Sequence, residues 1–136
     1  MDPNVQPDPF PCTPGLEVVG EVVEVGANVS GVRDGDRVIT MMQGLGGVRP
    51  QRPGGYAEYV VVPASAVAAF ARNVDPLEMA ALGLASVTAF EALHKIGDLS
   101  NRRIAVTGAA GGVGSAAVAI AKAQGAEVIG IISRSE

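Results

Sequence analysis

Cysteine is nearly missing from these 136 residues: Cys12 stands alone. One thiol closes no internal disulfide and cannot build a cysteine-rich zinc site, so the expected state is a reduced thiol in a cytoplasmic protein. Aromatic residues are scarce too, at 4%, which leaves Val, Ala, Leu and Ile to pack the core. Lys and Arg form no cluster and the net charge is −4, which argues against a nucleic-acid groove or an anionic membrane surface as partner. No apolar run reads as long enough to cross a membrane, no basic-then-apolar signal peptide opens the chain, and no internal repeat is visible. Apolar residues, by contrast, make up 48%, and there are 18 glycines. With a positive mean hydropathy, that mixture describes a packed protein with many turns rather than a disordered one. The length suits one ordinary domain or two small incomplete ones.

Residues 1–15 carry five prolines and read as an extended arm or irregular loop. Residues 16–25 alternate imperfectly with a two-residue period, which predicts a β-strand with Glu17, Glu21 and Glu24 at solvated positions. An Asp34-Gly35 turn precedes a short strand over 37–41. Residues 42–55, with five glycines and two prolines, read as a long loop, and 56–62 as another strand closed by Pro63. This half is expected to be antiparallel β, a small barrel or sandwich. The pattern changes near residue 75. Asp75 has the character of an N-cap, with Pro76 at the first helical position and Glu78 at the third. A short helix over 77–84 is expected, then a second that starts at Ser86 and ends at Gly97. Residues 103–107 form a short apolar strand, 108–114 a glycine-rich turn, 115–124 an Ala-rich helix capped by Gly125, and 127–132 a second apolar strand. That order is one βαβ unit with an expected right-handed crossover. The fold class is therefore mixed α/β.

The turn carries the chemistry. A GxGxxG motif appears in variant form, with Ala109, Gly111 and Gly114 in its three positions. A lone motif of this kind is a weak signal; its place after a strand, before a helix and ahead of a second strand raises it. Ala109 and Ala110 are expected to allow the tight turn. Gly111 and Gly112 would let the backbone approach a pyrophosphate, and Gly114 would let the helix pack on the strand. The free N–H groups from Gly111 through Val113 to Gly114 would then face the phosphates, aided by the helix dipole. The competing reading is a structural turn only, yet such a turn does not need the four glycines and two alanines found here. Folds that bind NAD commonly place Asp or Glu at the end of the second strand, about 20 residues on, to hold the ribose 2′-OH. Here Ile132, Ser133 and Arg134 occupy that place. A hydroxyl and a cation without a carboxylate favour a 2′-phosphate, hence NADP(H), over Arg134 as a merely solvated loop cation.

The segments PGLEVVGEVVEVG (14–26), GDRV (35–38), GGYAEYVVVP (54–63), SVTAFEAL (86–93) and VTGAAGGVGSAAVAIAKAQGAEVIG (106–130) together resemble the medium-chain dehydrogenase/reductase superfamily, in its zinc-free quinone oxidoreductase and enoyl reductase branch. The resemblance implies a partial GroES-like antiparallel β-barrel over 1–85 and an incomplete Rossmann domain over 86–136, with the nicotinamide in the cleft between the two. It also implies hydride transfer from NADPH to a small-molecule substrate, a quinone or an activated C=C such as an enoyl or enone group. In the zinc branch a His stands where Leu16 stands here, and the structural-zinc cysteines have no counterpart in 42–55, so no metal is expected. Glu17 then reads as a surface or core-edge residue. Thr88 matches a family Thr near the nicotinamide and ribose, with a helix-capping or core Thr as the alternative. His94 reads as a helix C-terminal dipole partner, and Tyr56 and Tyr59 as packing residues rather than acids. No catalytic residue is assigned.

The chain also departs from the family. It lacks the early GroES-like strands, where the family's substrate-polarising Tyr or Asn residues lie, and everything after the second Rossmann strand. A fragment or truncated gene product is the expectation. The second reading is a catalytically incomplete remnant that binds a nucleotide or a partner, or a self-associating structural module. The strands 103–107 and 127–132 are apolar on both faces and call for helices on both sides. A two-stranded parallel sheet with open edges is poor alone, so a homo-oligomer that covers those edges is expected.

Overall fold

The computed structural model describes residues 12–42, 44–46 and 51–133. Most of the proline-rich arm, part of the 42–55 loop, and Arg134 lie outside the described residues. The chain packs as two compact units that part between Ala81 and Leu82.

The first unit is built on an antiparallel sheet of β1 (Glu17–Glu21), β2 (Arg37–Met41) and β3 (Ala68–Ala69), in the order β1-β2-β3. Val18, Val19, Val38, Ile39 and Thr40 supply the β-branched side chains that suit a pleated surface. Glu17 pairs with Met41 and Glu21 with Arg37. The ladder runs slightly past β1, because Val22 N–H donates to Asp36 O at 2.9 Å and Gly35 N–H to Val22 O at 2.8 Å. Gly35 closes this turn at φ +79, a left-handed conformation that glycine adopts without a Cβ clash. Beyond residue 22 the strand expected to reach 25 has no partner among the described residues, and the chain turns at Gly26, whose carbonyl accepts from Val29 N–H at 2.9 Å. Two arginines tie the far end together: Arg37 Nη1 donates to Arg72 O at 2.9 Å, and Arg72 Nη2 to Gly35 O at 2.6 Å. The hydroxyl of buried Thr40 donates to Ala66 O at 2.7 Å.

The expected strand over 56–62 does not form. Tyr56 N–H donates to Pro14 O at 3.0 Å and Gly55 N–H to Gly15 O at 2.9 Å, but beyond Tyr56 no described ladder partner lies alongside. Strand-favouring composition marks a segment fit for a sheet; a strand exists only where a neighbour takes its backbone groups. Tyr56, Tyr59 and Val61 stay exposed.

The helix α1 (Pro76–His94) begins as its sequence demands. Asp75 Oδ1 accepts from Leu77 N–H at 2.7 Å, and Pro76 stands first, where its missing N–H is harmless. The backbone leaves helical geometry at Gly83, with φ 9 and ψ −129, and helix resumes afterwards. The two-helix expectation is met by this break, but Ser86 lies inside the second arm and caps nothing. Contrary to the expectation of no membrane-length apolar run, α1 at 19 residues is long and apolar enough, by length and composition alone, to cross a membrane. Glu78, Glu91 and the interruption at Gly83 divide that apolar span.

In the second unit β4 (Arg103–Thr107) leads through a turn into α2 (Gly112–Ala123) and then β5 (Glu127–Ile131), which pairs parallel with β4. The helix starts at Gly112, a turn earlier than the expected 115, because the small residues after Gly111 take helical geometry at once. Gly125 ends it at φ +82. Leu93, Leu99 and Ala121 are buried together, with Ile104, Ala117, Ile120, Ala126 and Val128 packed around them. The expectation of helices on both faces fails: burial alternates along β4, and Ile129 and Ile131 on β5 are 53% and 49% exposed.

Candidate glycine-rich turn site

The site is the junction between β4 and α2. Thr107 ends the strand, and Gly108 reverses the chain at φ +64. The tight-turn role expected of Ala109 and Ala110 thus belongs to Gly108, because a left-handed φ suits a residue without Cβ. Its signal was available: it is the first glycine after an apolar strand. Ala109 is then tied to the sheet, its N–H donating to Ile131 O at 3.1 Å. Gly111 N–H donates back to Gly108 O at 2.9 Å, so this amide is consumed inside the turn. Gly111 itself is the N-cap, in extended geometry and without a side chain to cap.

The next three amides differ. Ser115 N–H makes the first helical bond, to Gly111 O at 2.8 Å. Among the described residues nothing accepts from the N–H groups of Gly112, Val113 or Gly114. They are the orphan donors that every helix start leaves, and the positive end of the macrodipole lies with them. Space is open there as well: a Cβ at Gly112 would meet only Ala85 Cβ, at 3.6 Å. Gly114 is the opposite case. A Cβ on it would strike the Gly108 carbonyl oxygen and come within 2.9 Å of Ala109 Cα, so its glycine is demanded by close packing of helix on turn.

The other expected residues are spread around this centre. Thr88 follows Ala85 on α1 by three positions, so it shares the face that abuts Gly112. Its Oγ1 donates to Leu84 O at 2.9 Å, which leaves the oxygen able to accept. Ala110 is exposed in the turn and Ser133 is exposed just past β5. Arg134 lies outside the described residues. His94 ends α1 with its ring stacked on Phe90, centroids 5.9 Å apart. Gly130, in the middle of β5, went unnoticed as a contributor; a Cβ there would meet Ala109 Cβ at 3.1 Å. A lone glycine in a strand is the available signal for such a close approach.

Comparison with known proteins places this geometry. Residues 2–72 match the alcohol dehydrogenase GroES-like domain. A 2-methylene-furan-3-one reductase of Solanum lycopersicum is 42% identical over 114 residues, covering 84% of this chain and 29% of the relative. Among solved structures, an alcohol dehydrogenase superfamily protein from Novosphingobium aromaticivorans superposes with a TM-score of 0.81 at 28% identity, covering 97% of this chain and 39% of that one. The quinone oxidoreductase from Thermus thermophilus, solved also in complex with NADPH, gives a TM-score of 0.67 at 32% identity over 89% of this chain and 34% of that one. The chain spans about a third of the length of the curated relatives it matches. A GroES-like match, an antiparallel sheet and a strand–glycine turn–helix–strand unit therefore converge, and the chain belongs to the medium-chain dehydrogenase/reductase superfamily, in its zinc-free quinone oxidoreductase branch.

Proposed function

We propose that this chain holds the diphosphate of NADP(H) at the start of α2 and serves a zinc-independent reductase acting on a quinone or an activated C=C. The observation that carries the reading is the run of unengaged amides at Gly112, Val113 and Gly114 beside open space. Those donors, fixed by the Gly108 turn, suit two phosphate groups without rearrangement. Thr88 is the candidate for a contact to the nicotinamide side. After β5, Ile132, Ser133 and Arg134 present no carboxylate to a 2′-phosphate, which supports NADPH over NADH. When bound, the dinucleotide supplies the hydride; the chain binds and orients it. A cytoplasmic location, read from the lone thiol of Cys12, belongs to the same proposal, although named relatives include chloroplast and mitochondrial proteins.

The test is an NADPH fluorescence titration followed by a quinone-reduction assay, with Gly112→Asp as the variant. The open space at Gly112 admits the new side chain, and a carboxylate in the first helical turn suits the dipole, so the fold should hold. The same charge repels a diphosphate, and binding should weaken at least tenfold. Unchanged affinity in the variant, or no binding by the parent chain, overturns the nucleotide reading. Binding without turnover identifies the alternative, a nucleotide-binding module that does not catalyse.

Two strands of parallel sheet with Ile129, Ile131 and Ile132 about half or more exposed support a second element of the proposal, that another copy of the chain covers β4–β5.

A further inference from the structure

Ala109 is wedged. On one side, Gly114 of α2 approaches so closely that a Cβ there would lie 2.9 Å from Ala109 Cα. On the other, Gly130 of β5 faces it, and a Cβ there would lie 3.1 Å from Ala109 Cβ. The Ala109 N–H is meanwhile bonded to Ile131 O, one residue along β5, at 3.1 Å. A contact of 3.1 Å is too close for two methyl groups to be comfortable, so one must yield. Ala109, half-buried, yields by a few tenths of an ångström, and that shift moves it relative to α2 and strains its hydrogen bond to Ile131 O. The glycine-rich turn therefore keeps its height over the sheet because β5 carries no side chain at this point.

We propose that Gly130 is a positioning residue for the nucleotide site: its missing side chain seats Ala109 on β5 and so aims the amides of Gly112, Val113 and Gly114. The inference rests on the NADP(H) reading for its consequence but not for its geometry. A methyl at residue 130 lifts Ala109, and the lifted turn carries the first turn of α2 with it through the packed Gly114 contact.

The experiment compares the 136-residue chain with Gly130→Ala and with the double variant Gly130→Ala/Ala109→Gly. Two readouts are taken, NADPH affinity by fluorescence titration and amide hydrogen exchange at residue 109. Gly130→Ala should weaken NADPH binding roughly tenfold, the scale on which modest overpacking acts, and should speed exchange at residue 109. Removing the opposing methyl in the double variant should recover most of both losses. A general loss of stability would not be repaired in that way, so a double variant as impaired as Gly130→Ala overturns the proposal. Unchanged affinity and unchanged exchange in Gly130→Ala overturn it as well. If the parent chain binds no NADPH, the nucleotide reading fails, and the exchange readout alone decides whether Gly130 seats the turn.

Discussion

Asp98 lies between α1 and β4 and accepts from Ser100 N–H at 2.9 Å through Oδ1. That backbone bond and then the Ser100 hydroxyl hold its carboxyl below the ordinary aspartate range; desolvation opposes them, and the Arg102 charge adds the smallest contribution. The two hydrogen bonds and the Arg102 charge favour the ionised form. A carboxyl whose pKa is depressed by folding contributes stability above its unfolded value, and that contribution disappears as pH falls through the folded value. Titration of the Asp98 carboxyl by NMR should give a midpoint below the ordinary aspartate value. Ser100→Ala should raise it only part of the way, since the larger cause is the main-chain N–H. A midpoint at or above the ordinary value contradicts this account of the loop. The same scale governs the site, where one Cβ decides the outcome: Gly114 excludes it through crowding, Gly108 through its φ of +64, and Gly112 leaves room for it.

Elements here stand or fall on how their ends and edges are satisfied. α1 starts where Asp75 accepts from Leu77 N–H. Asp75→Ala should lower the urea midpoint by an amount worth about 1 kcal/mol, and Asp75→Asn should restore most of it. Equal stability of Asp75→Ala and the parent would show that the helix start is held by something other than this cap. Residues 56–62 illustrate the other side of the rule. Their apolar, β-branched composition suits a sheet, yet β1 has Arg37–Met41 to pair with and, beyond Tyr56, this segment has no described ladder partner. Arg103 and Glu127 pair across β4 and β5 at 3.8 Å, both well exposed, so this ion pair adds little to the parallel ladder.

For the molecule as a whole, the second unit sets α2 and the last arm of α1 with a sheet of two strands, with a small core around Leu93, Leu99 and Ala121. Half-exposed isoleucines on β5 and open backbone edges are features that another polypeptide would cover. If the partner is a second copy, size-exclusion chromatography with light scattering should give a dimer or larger species at micromolar concentration. Replacing Ile129 and Ile131 together by Thr should shift it toward monomer. A clean monomer for the parent chain counts against self-association.

The strand–turn–helix–strand order, the Asp75 cap, the Gly125 stop and the crowded glycine at 114 were legible in the sequence, because each is a local requirement written in residue type and spacing. So was the family, whose segments are contiguous. Other features depended on contacts between residues far apart in the chain. The two-residue strand β3 exists because β2 offers it an edge, and the expected strand at 56–62 fails for want of one. Gly130 gained its meaning only when Ala109 was folded over it. Backbone preference is decided within a few residues, whereas pairing and close approach are decided by whatever the fold brings alongside.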